Sequence, residues 1–216
     1  MTLPILFPAL LLLALLLYAE KRESIPWKLS SKPLLSALFI LTACLQPWTT
    51  PSFAGWMLAG LVLSWVGDLF LIFFNSRKLF LAGLVSFLLG HVCYAACFYT
   101  YGFLNGWVAA GLAVLLAVGA VIFLWLRPHL GDMTAPVIGY IVVISAMVGG
   151  ALAVFINPEW AVDGRNAVLA GAVMFYISDI MVARDQFVIN AYVNRIVGLP
   201  LYYAAQFLFA SAIGLL

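Results

Sequence analysis

Charge is what this sequence has least of. Only 8% of its 216 residues are Asp, Glu, Lys or Arg, against 66% hydrophobic, and the mean hydropathy is +1.15. A soluble domain carries about 25% charged residues, so a surface covered by solvated side chains is excluded. The composition implies an integral membrane protein with little mass outside the bilayer. Histidine is scarcer still: His91 and His129 are the two present, and a catalytic zinc commonly takes three protein ligands. Cys44, Cys93 and Cys97 all fall in apolar runs and show neither metal-ligand nor disulfide spacing. There is no Gly-x-Ser-x-Gly elbow, P-loop or dinucleotide fingerprint. The formal net charge of +2 comes from basic residues scattered over short loops, so no nucleic-acid partner is expected.

What the sequence does have is apolar runs of spanning length. A span needs about 20 mostly apolar residues. Eight segments qualify between polar breaks: 3–19, 33–47, 54–74, 79–100, 106–126, 136–156, 165–183 and 199–215. The expected fold is therefore all-α, an eight-helix polytopic bundle forming one integral membrane domain over residues 1–216. The first run, Leu3–Ala19, lacks a basic n-region and a small-x-small site before Glu20-Lys-Arg-Glu23, so it reads as a span rather than a secretion signal. The breaks are compact turns such as Asn75-Ser-Arg-Lys78 and Arg127-Pro-His-Leu-Gly-Asp132.

Lys and Arg are distributed unevenly over these turns. The odd-numbered turns hold Lys21, Arg22, Lys28, Lys32, Arg77, Lys78, Arg127, Arg184 and Arg195, while the even-numbered ones hold only Arg165. The positive-inside rule then places the basic loops in the cytoplasm and both termini on the opposite side. Compact loops and this bias point to a bacterial inner membrane.

Two aspartates break the apolar runs. Asp68 lies in Trp65-Val-Gly-Asp68 and Asp179 in Tyr176-Ile-Ser-Asp179. An aspartate at depth costs about 2.5–3.5 kcal/mol even on lenient insertion scales, so its presence signals use. Asp68 stands nine residues before Arg77 and Asp179 five before Arg184, roughly 13 Å and 7 Å from the basic end. At those heights the two can share one cavity in the cytoplasmic half. A faint repeat reinforces their equivalence, since Tyr94-Ala-Ala-Cys-Phe98 also resembles Tyr203-Ala-Ala-Gln-Phe207. The pattern suggests two four-helix halves in parallel orientation.

The other intramembrane polar residues are His91, Tyr94, Tyr140, Ser178, Tyr202, Tyr203 and Gln206, with Lys32 at a helix mouth. Singly, each has a structural explanation: an interface tyrosine, a hydrogen-bonded histidine, a glutamine joining helices. A structural ion pair of an aspartate with Lys32 or an arginine is the corresponding alternative for the carboxylates. Together, two carboxyls are the equipment for general acid–base hydrolysis, one donating a proton while the other remains ionised.

Lys32-Pro33, Gly67-Asp68, Gly83-Leu84 with Phe87, His91-x-x-Tyr94, Pro136-Val137 with Tyr140 and Met147, Ser178-Asp179, and Tyr202-Tyr203 with Gln206 together resemble the YhhN family, which includes the TMEM86 lysoplasmalogenases. The resemblance runs from about residue 32 to 210. One departure is the phenylalanine-rich run after Asp68, which carries no further polar residue. The resemblance implies an eight-helix hydrolase that cleaves the vinyl ether of lysoplasmalogens, releasing a fatty aldehyde and glycerophosphoethanolamine or glycerophosphocholine. It further implies Asp68 and Asp179 as the catalytic pair, and no metal or organic cofactor. The substrate would be a lysophospholipid taken from the bilayer. Its phosphate would meet Lys32 first, then Arg77, Lys78, Arg184 or Arg195. Its ether oxygen or the water would be oriented by Tyr140, Tyr202, Tyr203, His91 and Gln206. Asp68, deeper and beside Trp65, is the first candidate for the acid.

Two other functions compete. Parallel halves and midplane polar residues are also found in transporters, although turns this short leave little room for alternating access. A hydrolase of another lysolipid or ether lipid on the same scaffold is the second. Gly139 and Gly149-Gly150 permit close helix packing, within a protomer or between protomers, so oligomeric state is open.

Overall fold

The computed structural model describes residues 3–74 and 76–215; Asn75, in the predicted third turn, lies outside the described residues. Those residues form eight α-helices and no strand: α1 Leu3–Lys21, α2 Ile25–Cys44, α3 Pro51–Leu71, α4 Arg77–Tyr101, α5 Gly106–Leu126, α6 Thr134–Phe155, α7 Val162–Ala183 and α8 Tyr192–Ala212. Two 3₁₀ turns link α5 to α6, and a π-helical turn, Arg184–Val188, ends α7. An apolar chain in lipid must satisfy its own backbone, and the helix does so within one segment.

Six helical segments are long and apolar enough to cross a membrane, those built on α1, α3, α4, α5, α6 and α7. The two below that hydropathy are α2 and α8, and both start well before their apolar runs. α2 begins at Ile25 rather than near residue 33, with Pro26 in its first turn, where the missing N–H costs nothing. Its hydroxyls close back on the helix: Ser30 Oγ donates to the Pro26 carbonyl at 2.9 Å and Ser31 Oγ to that of Trp27 at 2.7 Å. α8 begins at Tyr192 rather than near 199, which makes Asn194 and Arg195 helical. The added turns bring Lys28, Lys32, Asn194 and Arg195 onto helix faces. Polarity lowered the hydropathy of these two helices because their faces line the site.

Successive helices pack as antiparallel hairpins, α1 on α2, α3 on α4, α5 on α6 and α7 on α8. α8 also touches α1, α2 and α3, so the least apolar pair lies inside the bundle. α3 and α4 approach closely because glycines face bulky groups: a Cβ on Gly67 would stand 2.6 Å from the Phe87 ring, and one on Gly83 2.9 Å from Leu71. Gly149 and Gly150 pack within the protomer against Tyr99 and Phe98, whereas Gly139 faces open space. α5 turns Val114, Val121 and Leu124 outward, as a lipid-facing helix does.

Candidate active site

A cavity of about 570 Å³ opens at the end of the bundle where α1, α3 and α7 finish and α2, α4 and α8 begin. Its walls are apolar, with Leu71, Phe80, Leu84, Ile122, Ile141 and Ile144. Asp68, Asp179, Lys32, Tyr140, Tyr176 and Tyr202 also line it, and its mouth carries Glu20, Glu23, Lys28, Asp185, Asn194 and Arg195. An apolar pocket with a few convergent polar groups is the usual form of a ligand site. Asp68 and Asp179, on helices 111 positions apart in the chain, thus line one space.

Asp68 is almost wholly enclosed, its side chain 2% exposed. Three groups converge on it. Lys32 Nζ stands 3.1 Å from Oδ1, while Ser36 Oγ and Tyr202 Oη each donate to Oδ2 at 2.6 Å. The Lys32 ammonium is thereby taken up by the carboxylate. Expected at the helix mouth for a phosphate, it is instead buried seven residues beyond the Ile25 start of the helix, because the early start of α2 carries it into the bundle. Tyr203 stands behind, its hydroxyl 3.2 Å from Ser36 Oγ, and Trp65 Nε1 ties α3 to α2 through the Pro33 carbonyl at 3.1 Å.

Asp179 is set differently. Its side chain is 18% exposed, it receives Tyr140 Oη at 2.7 Å, and His91 Nε2 lies 3.6 Å away. Among the described residues no Lys or Arg pairs with it. His91 is buried and wedged edge-on against the rings of Phe175 and Tyr140, at 4.5 and 5.4 Å between centroids. The two carboxylates therefore differ: one is bound by a cation and two hydroxyls, the other meets a phenol and the cavity.

Several expected ligand groups do not reach the cavity. Tyr94 donates to Gln206 Oε1 at 3.0 Å deep in the core, joining α4 to α8. His91 and Tyr203 sit one layer behind the carboxylates. Ser178 lines the cavity, but its hydroxyl donates to the Gly198 carbonyl at 3.0 Å and pins α7 to α8. Of the expected phosphate ligands, Arg77 pairs with Asp132 on the exposed rim and Arg184 bonds Asn194. Only Lys32 and Arg195 line the cavity, and Arg195 is held by Asp185 at 3.1 Å. Several residues of the site escaped the sequence reading, among them Asp185 and Asn194 at the mouth and two on α2. Ser36 and Lys28 flank Lys32 at four-residue spacing on one face of α2. That spacing was the available signal, hidden because residues before 33 read as loop.

The YhhN family model matches residues 27–213. A Mycobacterium tuberculosis protein (strain CDC 1551 / Oshkosh) named lysoplasmalogenase is 33% identical over 155 residues, covering 69% of this chain and 55% of that protein. Bovine lysoplasmalogenase TMEM86A is 31% identical over 176 residues, 80% of this chain and 71% of that one. Its human counterpart is 32% identical over 154 residues, 70% and 62%. The match thus spans little more than half the length of the mycobacterial relative. No solved structure matches the chain. With apolar helices of spanning length and a family model matched from α2 to the end of α8, this chain is an integral membrane protein that belongs to the YhhN family.

Proposed function

We propose that this protein is a membrane lysoplasmalogenase, hydrolysing the vinyl ether of alkenyl lysophospholipids. The observation that carries the reading is two aspartates in unlike settings on one apolar cavity with a charged mouth. The relatives named lysoplasmalogenase supply the substrate class.

Vinyl ethers resist base and hydrolyse through protonation of the β-carbon. Asp179 is the donor in this proposal, because it faces the cavity and no Lys or Arg holds it. Its proton passes to the β-carbon and an oxocarbenium ion forms. Asp68, fixed by Lys32, Ser36 and Tyr202, offers a negative charge to that cation. The Asp179 carboxylate then takes a proton from the water that adds to the α-carbon. The hemiacetal collapses to aldehyde and alcohol, and Asp179 again carries its proton. Two carboxyls flanking an oxocarbenium-like state is the logic of glycosidases. This reverses the expectation that Asp68 is the acid, since depth alone did not reveal its cation. Lys32, Tyr140 and Tyr202 act through the carboxylates they touch.

The whole chain is taken as one membrane domain, with α2 and α8 completing eight spans around the polar site. Two parallel halves agree with the packing, in which α4 on α6 corresponds to α8 on α2, and α2 on α3 to α6 on α7. The positive bias of the odd-numbered turns supports a cytoplasmic cavity mouth, both termini opposite it, and a bacterial inner membrane.

The test is aldehyde release by the purified protein from alkenyl lysophosphatidylethanolamine, with the acyl lysolipid as control. Asp68→Asn and Asp179→Asn should each abolish release, Asp179→Asn with detergent behaviour near wild type and Asp68→Asn with lowered stability, because it strands the buried Lys32 ammonium. No release from a well-folded sample, or loss in only one variant, would overturn the two-carboxylate reading.

A further inference from the structure

Six helices close a ring around the polar site, each packed on the next: α2 on α3, α3 on α4, α4 on α6, α6 on α7, α7 on α8 and α8 on α2. α5 stands outside that ring, held by α6 and by the π-helical turn. Its Ile122 and Leu126 nevertheless line the cavity, so the cavity leaves the ring. It leaves between α6 and α7, the two helices that α5 faces there: a Cβ on Gly119 would stand 2.6 Å from Ile141 Cγ2 of α6 and 3.7 Å from Tyr176 Oη of α7. Burial shows where this pair parts. On α6, Val137 is the one residue buried before Ile144, and on α7 none is buried after Ser178. Both helices are closely packed beyond the carboxylates and diverge on the mouth side of them.

We infer that this gap between α6 and α7, backed by α5, is a lateral port through which the single hydrocarbon tail of the lysolipid runs from the cavity into the bilayer. The inference rests on the lysolipid reading above and extends it to the path of the tail. Length decides the matter. Past Asp179 the cavity lining ends at Tyr176 on α7, three residues on, and past Tyr140 at Ile144 on α6, four residues on. At helical rise that is a depth of only about 4.5–6 Å. A sixteen-carbon tail extends about 18 Å beyond its β-carbon, counting about 1.25 Å per bond. It cannot be housed inward and has to turn sideways.

The walls of the gap suit such a chain. Val137 and Ile141 of α6, Ile180 and Ala183 of α7, and Ile122 and Leu126 of α5 all line the cavity. The end nearest the mouth is sealed by Phe187 and Val188 of the π-helical turn, packed against Leu126, Leu130 and Val137. Polar head and tail are thereby given separate exits. Outside, Val121 and Ile177 are exposed, as lipid-facing residues are. The position of the reacting groups agrees. Tyr140 of α6 reaches Asp179 of α7 at 2.7 Å, across the inner edge of the gap. In a vinyl ether the tail begins at the β-carbon, the atom that Asp179 protonates in the proposed reaction. The acid therefore stands where the tail departs.

The test is binding of acyl lysophosphatidylethanolamines of graded tail length, which carry no vinyl ether, to the full chain in nanodiscs. With a port, carbons beyond about the sixth pass from one hydrocarbon setting to another, so affinity at twelve to eighteen carbons should vary by less than about threefold. A closed pocket would instead show a sharp loss once the tail outgrows it, and such a cutoff overturns the port. Ile180→Trp places an indole in the gap and should lower the ratio of sixteen-carbon to six-carbon affinity about tenfold or more, as overpacking would. Ile177→Trp puts the same ring on the lipid-facing side of α7 and should leave that ratio unchanged. An unchanged ratio in a folded Ile180→Trp protein, or an equal fall in Ile177→Trp, overturns the port; should Ile180→Trp fail to fold, the length profile of the wild type decides. Failure of the hydrolase reading would appear separately, as absent aldehyde release with the length profile intact.

Discussion

Replacing Lys32 with methionine removes the one cation on Asp68 and keeps most of the side-chain volume. Both partners are enclosed, at 7% and 2% side-chain exposure, and stand 3.1 Å apart. Breaking a buried pair from one side costs about 3–5 kcal/mol, because the remaining charge stays desolvated. Ser36 and Tyr202 still donate to Oδ2, which puts the expected loss at the lower end, about 3 kcal/mol, or roughly a hundredfold in the unfolding constant. Unfolding in mixed micelles by increasing SDS, followed by tryptophan fluorescence, reads this directly. The double variant Lys32→Met/Asp68→Leu should regain most of the loss, since an apolar pair can replace a buried ionic one. Turnover separates structure from chemistry: both variants should be inactive, the double one although it is stable. A Lys32→Met protein within about 0.5 kcal/mol of wild type, the range of an ordinary surface change, would refute the buried pair and the division of roles built on it.

Tyr140→Phe removes the hydroxyl that reaches Asp179 at 2.7 Å and should lower kcat about tenfold with little effect on KM; unchanged kcat would mean that the phenol merely packs. Gly67→Ala places a Cβ 2.6 Å from the Phe87 ring, which itself abuts Tyr202, and should cost about 1–3 kcal/mol of stability together with activity. Gly55→Ala, with nothing within 4 Å, is its control and should be neutral or stabilising by about 0.5–1 kcal/mol in the same SDS titration.

The apolar runs located six of the helices without difficulty, and both carboxylates were visible as anomalies within them. The two helices that supply most of Asp68's partners were the hardest to delimit. Before residue 33 the chain reads as a basic loop, yet Ser30 and Ser31 satisfy themselves on helix carbonyls and Lys28 and Lys32 face inward. The same holds before residue 199, where Asn194 bonds Asp185 and the Ile189 carbonyl. Hydropathy reports average polarity along a segment, so it undervalues a helix whose polar face is turned into the protein. The tyrosines show a related limit. Tyr202 and Tyr203 are adjacent in sequence, but only Tyr202 reaches Asp68, because successive helical residues point about 100° apart.

By itself the sequence determined the class of the molecule. A chain this apolar cannot be solvated, its backbone must close on itself in helices, and an aspartate within such a helix requires company. Which company was decided by the tertiary structure. The partners of Asp68 (Ser36, Lys32 and Tyr202) come from 32, 36 and 134 positions away, and the Tyr140 that donates to Asp179 from 39. No local pattern encodes such pairings. They follow from the rotation of each helix about its axis, set by where glycines allow close approach and where aromatic rings fill the remaining space.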